Sequence, residues 1–310
     1  MKLLLLTGLT RTRMRKILYI NFSVLMLFGA ISCVILFIYI GIEKNSNGYL
    51  STETDRLGET ARYFNEELFI KGEINKEVWD IKGCTKGAII PHHSLAGKYI
   101  SSYFNSLAKE SIDTVILIGP NHKAVGDKVI YTSDLVYKTE FGPLDTDNKL
   151  VEHLLNDEFI GLDNDIVEDE HSVITIFPYL TKYFSNLKVI PLVVNETGLE
   201  NITVLADFIS NYVTENTLII AAVDFSHYLT AEEATTRDRK TISLIKNKDH
   251  GKILELNNEY LDSPTSLVLQ EKIIEKSESA ELRLLKNVNS YDLTGRKDGV
   301  TSYMFGVYCE

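Results

Sequence analysis

Three cysteines and six prolines are few for a chain of 310 residues. So little cysteine excludes a disulfide-dense scaffold, and eighteen glycines without a repeating period exclude a collagen-like one. Internal repeats, low-complexity tracts and Pro/Gly-rich linkers are absent, so nothing cuts the chain into separate modules. Hydrophobic residues at 45% and charged ones at 24% exclude a disordered chain. An excess of positive charge is missing too. With 32 basic and 43 acidic side chains, a net −11, the protein lacks the basic face that non-specific nucleic-acid binding requires.

The scarcest feature is negative charge at the start. No acidic residue precedes Glu43, whereas Lys2, Arg11, Arg13, Arg15 and Lys16 do. The remainder holds 27 basic against 43 acidic side chains, a balance of −16. Residues 17–42 carry no charge at all. As a helix rising ~1.5 Å per residue this run would reach roughly 39 Å, enough to cross a hydrocarbon core of ~30 Å. It is longer than the roughly 7–15 apolar residues of a cleaved signal, and no small-x-small cleavage site follows. The expectation is a cytoplasmic basic segment over 1–16, a transmembrane anchor over 17–42 and a stalk over 43–62. The flanking positive charge then leaves the acidic body, residues 63–310, outside the cytoplasm of a single-pass cell-membrane protein. Met14-Arg-Lys also has the form of a natural beginning.

In the body, short apolar runs alternate with helical patterns. Residues 87–91, 113–119, 187–194 and 217–223 are continuous apolar stretches of strand length. Residues 98–110 and 199–213 have helical spacing, and Thr230 with Glu233 forms a capping-box signature for a helix over 231–247. Continuous rather than alternating strands imply a sheet covered on both faces. The expected fold is a single-domain α/β sandwich with a mixed, largely parallel sheet flanked by helices. Residues 300–308 form a further strand that could be antiparallel.

The placement of the seven histidines is the most informative feature. His92 and His93 follow the first strand, His122 the second and His227 a later one. Carboxyl ends of parallel strands share one rim, where ligands collect. Two or three imidazoles with a carboxylate and open positions form a zinc or non-haem iron site. His92, His122 and His227 are therefore the candidate metal ligands. Asp224 is the carboxylate that orients one of them, or else a helix cap. His171 follows an acidic loop and is a fourth rim residue. A histidine after a strand can equally be a hydrogen-bonded structural residue, and His93 an incidental neighbour of His92. His153 and His250 lie among polar residues.

The ordered motifs PHHSLAG, ILIGPNH, KTEFGPLDTD, DEHSVITIFPYL and VDFSHY resemble the Memo family, also called AmmeMemoRadiSam system protein B. The resemblance spans about Gly87 to Tyr308 and omits the amino-terminal run. It implies the fold of class III extradiol dioxygenases, a non-haem iron group, with a histidine-lined cleft. It also implies His92 and His122 as metal ligands, with His227 and Asp224 lining the same cleft and His171 as the histidine of the family's EHS motif. Three departures stand out. His93-Ser94-Leu95 replaces the usual AGY, and Ile174 and Ile176 stand where polar residues are usual. The cysteine that some members carry before the last strand is missing, the position falling near Leu293.

Two functions follow from the same cleft. One is a metal-dependent enzyme, with Fe(II) favoured over Zn or Cu, His171 and Asp224 as its catalytic groups and a small-molecule substrate. It would act as a dioxygenase or, by activating water, as a hydrolase. The other is a non-catalytic module holding a peptide or protein, as the signalling reputation of the family implies. Cys84 precedes the first strand and Cys309 ends the last, so a bridge between them would tie the fold, provided their Cα atoms lie within ~7 Å.

Overall fold

The central strands assemble because their residues are apolar on both faces. The computed structural model describes residues 57–59, 62–277, 280–297 and 299–309, all within one compact unit, Arg56–Glu310. The strands are β1 (Leu57–Glu59), β2 (Gly87–Ile90), β3 (Thr114–Pro120), β4 (Ile130–Thr132), β5 (Val136–Thr139) and β6 (Gly142–Thr146). They continue with β7 (Ile160–Leu162), β8 (Lys188–Val194), β9 (Thr217–Ala222), β10 (Glu281–Asn289) and β11 (Ser302–Cys309). The sheet runs β1-β5-β6-β8-β3-β9-β2-β11-β10, with β4 joining β7 to β8. At its centre β8, β3, β9 and β2 are mutually parallel, and β11 pairs antiparallel with both β2 and β10.

Alternate residues of these strands feed two cores. Ile90, Val115, Leu117, Val189, Leu218 and Ile220 face one side, where the helices Gly97–Leu107 and Phe177–Tyr183 supply Tyr103, Phe104, Phe177 and Leu180. Ile89, Ile116, Ile118, Ile190, Ile219 and Ala221 face the other, against Leu199–Ser210 and Pro264–Ser277. The period of two along each strand splits one apolar run between two layers. The α/β sandwich with a mixed, largely parallel sheet is thus observed.

The capping box forms as well. Thr230 Oγ1 accepts from Glu233 N and the Glu233 carboxylate accepts from Thr230 N, opening the helix Ala231–Lys246. Thr230→Ala removes the cap from an exposed turn and is expected to cost about 1 kcal/mol in denaturant unfolding. A change below a few tenths would mean the box carries nothing.

The membrane expectation is corrected. Among the described residues no helix is long and apolar enough to cross a membrane. The longest, Ala231–Lys246, has 16 residues and is rich in charge; at ~1.5 Å rise it falls short of a ~30 Å hydrocarbon core. The stretch 17–42, to which the transmembrane anchor was assigned, lies outside the described residues. The fold is therefore stated without a transmembrane helix, and the single-pass cell-membrane location is not retained. The basic segment 1–16 lies outside the described residues too. Within 43–62, read as a stalk, residues 57–59 form β1 on β5. Cys84 and Cys309 are disulfide-bonded, with Cα atoms 4.1 Å apart.

Candidate metal centre

Because β2, β3 and β9 run parallel, their carboxyl ends deliver His92, His122 and Asp224 to one rim. The short helix His171–Ile174 brings His171 there, and the turn before Pro264–Ser277 brings Asp262. His92, His122 and His171 each place a ring nitrogen within 4.8 Å of the others, and His92, Asp224 and Asp262 form a second such group. His227, from the same rim, belongs to neither group.

The ring orientations are fixed from behind. His92 Nδ1–H donates to the Ala222 carbonyl at 3.0 Å, which turns Nε2 toward Asp262 Oδ2 at 3.5 Å and Asp224 Oδ2 at 3.9 Å. His122 Nδ1–H donates to Glu170 Oε1 at 2.8 Å, which leaves its Nε2 3.8 Å from the same Asp262 oxygen. Such outer partners set the tautomer of a metal-binding imidazole and raise its basicity. Glu170 also accepts from His122 N and from Ser172 N, so one buried carboxylate both caps the helix and orients a ring. His171 Nδ1 lies 3.2 Å from Glu170 Oε1, and its ring stacks on His122 with centroids 4.3 Å apart. Asp224 Oδ1 accepts from His92 N, and Asp262 Oδ2 accepts from Asp224 N. The second oxygen of Asp262 is buried with no hydrogen-bond partner among the described residues.

The electrostatics follow from burial set against these carboxylates. Burial drives His92 down to about 4 despite Asp262, so its ring is neutral at pH 7. Burial works against a charged His122 as well, but Asp262 and Glu170 outweigh it and lift the ring to about 10. Burial also opposes the Glu170 carboxylate, yet His122, His171 and the Ser172 N–H hold it well below the usual range. Asp224 is raised by burial, with His93 and His227 pulling the other way. The cluster thus has one neutral imidazole, one ring whose charge answers two carboxylates, and a free buried carboxylate oxygen. That donor chemistry fits a divalent cation.

The other candidates fall elsewhere. His93 Nδ1 accepts from Leu95 N, so this ring caps the turn that follows β2. His153 stacks on Tyr212, and His250 packs beside Glu271 and Glu275. Ile174 and Ile176 are fully buried in the core on the Gly97–Leu107 side of the sheet. Polar groups at those two positions would point into the core rather than at the cluster. Sequence reasoning missed Asp262 and Glu170. Asp262 stands just before Ser-Pro at a helix start, where a carboxylate reads as an ordinary cap. Glu170 is in fact a cap, and nothing in its spacing marks the second role.

Fold and cluster together define an α/β protein with a histidine and carboxylate group, able to bind a metal ion, at the carboxyl rim of a parallel sheet. The sequence matches the Memo-like protein family over residues 65–307, and the chain belongs to the Memo family. It is similar to a MEMO1 family protein of Methanosarcina mazei, 31% identical over 229 residues, spanning 70% of this chain and 83% of that protein. A Pyrobaculum arsenaticum member is 27% identical over 231 residues, spanning 70% and 81%, and one from Methanopyrus kandleri 26% over 235, spanning 71% and 82%. A solved uncharacterized protein of Escherichia coli K12 aligns at a TM-score of 0.49 and 10% identity, covering 72% of this chain and 99% of that one, too distant to carry an argument.

Proposed function

We propose that the rim cluster is a two-histidine, one-carboxylate centre for a first-row divalent metal, Fe(II) in preference to Zn or Cu, in a cleft that takes a small chelating ligand. One observation carries this reading: Asp262 Oδ2 lies 3.5 Å from His92 Nε2 and 3.8 Å from His122 Nε2, with both rings held from behind. Two imidazoles and a carboxylate with open positions are the donor set of non-haem iron oxygenases. Bound there, the metal would supply Lewis acidity and redox chemistry of the class III extradiol type. The remaining work belongs to the chain. His92 and His122 offer Nε2, and Asp262 contributes the carboxylate. Glu170 holds the His122 ring, and Asp224 braces the His92 backbone. His171, its side chain 43% exposed beside Glu170, would be the group that takes or returns a proton at the mouth. His227 lines the cleft beyond Asp224.

Iron and zinc content after anaerobic reconstitution of the purified chain tests the proposal. About one Fe(II) per chain is expected, with oxygen uptake on adding a catechol if the centre turns over. Metal below a tenth of an equivalent would overturn it. Hydrolysis without oxygen uptake would point to the hydrolase on the same ligands.

A pH dependence follows. The metal must displace the proton that Asp262 and Glu170 keep on His122 up to about pH 10. Affinity should therefore rise about tenfold per pH unit from 7 toward 10 and level off above it. Calorimetry in buffers of different ionisation enthalpy should count about one proton released per metal at pH 7.5. Release of none would contradict a charged His122 at the centre.

A further inference from the structure

Asp262 reaches the rim on a loop rather than at the end of a strand, so something other than the sheet must hold it still. The loop runs between the helices His250–Leu254 and Pro264–Ser277. Asn257, Asn258 and Glu259 are exposed on it, while Leu261 enters the core. Asn258 O accepts from His227 N at 2.9 Å, and Asp262 N donates to Asp224 O at 3.1 Å. Between these two backbone ties lies Tyr260, half-buried and two residues before Asp262. Arg237 Cζ and Lys240 Nζ each lie 4.6 Å from the centre of its ring. Arg237 also donates from Nη1 to the Tyr260 hydroxyl, and its Nη2 pairs with Glu259 Oε2 at 3.2 Å. The two cations stand three residues apart on the helix Ala231–Lys246, so one face presents both. That helix is itself tied to the rim. Asp238, 1% exposed, accepts from Ser226 Oγ at 2.5 Å and from Asn287 Nδ2 at 3.1 Å. One helix therefore grips both loops that carry a carboxylate of the cluster, Asp224 through Ser226 and Asp262 through Tyr260.

We propose that Tyr260 is a positioning residue for the centre: clamped by Arg237 and Lys240, it fixes the loop so that Asp262 stands in place before a metal arrives. The inference rests on the two-histidine, one-carboxylate reading above and adds what pre-organises its carboxylate. An aspartate ordered in advance loses little freedom on binding, so it binds more tightly than the same group on a loose loop. His92 and His122 need no such device, because they follow β2 and β3.

The test uses the full-length chain. Fe(II) affinity is read anaerobically by competition with a chromophoric chelator, and loop mobility by amide hydrogen exchange of the metal-free protein. Tyr260→Leu keeps an apolar side chain and removes the ring. It should weaken Fe(II) roughly 3- to 10-fold. It should also speed exchange of the Asp262 amide roughly tenfold, while amides of β3 and β9 exchange as in wild type. Tyr260→Phe retains the ring and should bring both quantities back to within about twofold of wild type. Arg237→Gln combined with Lys240→Gln should reproduce the leucine variant, and adding Tyr260→Leu to that pair should change nothing further. The glutamine pair keeps Tyr260 and so tests the clamp even where the leucine variant fails to fold. Wild-type affinity in Tyr260→Leu, a phenylalanine variant as weak as the leucine one, or faster exchange across the whole sheet would each overturn the positioning role. Failure of the wild type to take up iron would instead remove the metal-centre reading and this inference with it.

Discussion

Asp262→Ala should lower the affinity for Fe(II) by well over 100-fold, whereas Glu170→Gln should cost only 10- to 100-fold. The ranking follows from what each carboxylate touches. Asp262 presents one oxygen to both His92 Nε2 and His122 Nε2 and keeps the other buried and unpartnered. In the proposed centre it is the negative charge of the donor set. Glu170 acts one step further out, by orienting the His122 ring, and removal of such an outer partner typically costs about 10–100-fold in metal affinity. A direct ligand must cost more. Asp262 also accepts from Asp224 N, so the alanine variant could loosen the rim for a reason unrelated to metal. Asp262→Asn separates the two, because it keeps an acceptor for that N–H and loses the charge. The asparagine variant should melt like wild type without metal and still fail to bind Fe(II) in competition with a chromophoric chelator. Wild-type affinity in either Asp262 variant would sink the two-histidine, one-carboxylate assignment. Loss from Glu170→Gln alone would place the ligand carboxylate on Glu170 instead.

Why the histidines were legible and the decisive aspartate was not comes down to chain connectivity. β2, β3, β8 and β9 are continuous apolar runs because helices cover both faces of the sheet, and their limits agree within two residues with those read from the sequence. Parallel strands put their carboxyl ends on one rim, so His92 and His122 could be paired from position alone. Asp262 follows no strand. It reaches the rim from a turn ahead of Pro264–Ser277, held by a reciprocal backbone contact in which Asp262 N donates to Asp224 O. That contact joins residues 38 apart and has no local signature. His227 illustrates the converse: it shares the rim but stays outside the donor groups. Ile174, at the end of the short helix His171–Ile174, and Ile176, just beyond it, are both buried in the core, while Glu170, one residue before that helix, faces the cluster.

Breaking the disulfide should be the largest stability change available outside the core. Cys84 lies a few residues before β2, and Cys309 ends β11, which pairs with β2 through Tyr308 and Gly87. The bridge spans 225 residues of sequence, so it closes nearly the whole domain into one loop. Loop entropy removed from the unfolded chain grows only logarithmically with length, and for such a span it amounts to about 5 kcal/mol as an upper figure. Measured losses for native bridges cluster around 2–5 kcal/mol, which for a domain of this size corresponds to a fall in Tm of roughly 5–15 °C. Cys84→Ser, Cys309→Ser and dithiothreitol treatment of the wild type should therefore give the same lowered melt, and the reductant should do nothing further to either variant. The metal centre should be spared. β11 meets the rim at its other end, where Ser302 O accepts from Phe225 N and Ser302 N donates to Ser226 O. Its register with β2 and β10 rests on backbone pairing and should persist without the bridge. Fe(II) affinity measured well below the melt should stay within about twofold of wild type. Identical melts in oxidised and reduced protein would mean the bridge constrains little in the unfolded chain, and a parallel loss of metal would mean β11 transmits strain from one end of the sheet to the other.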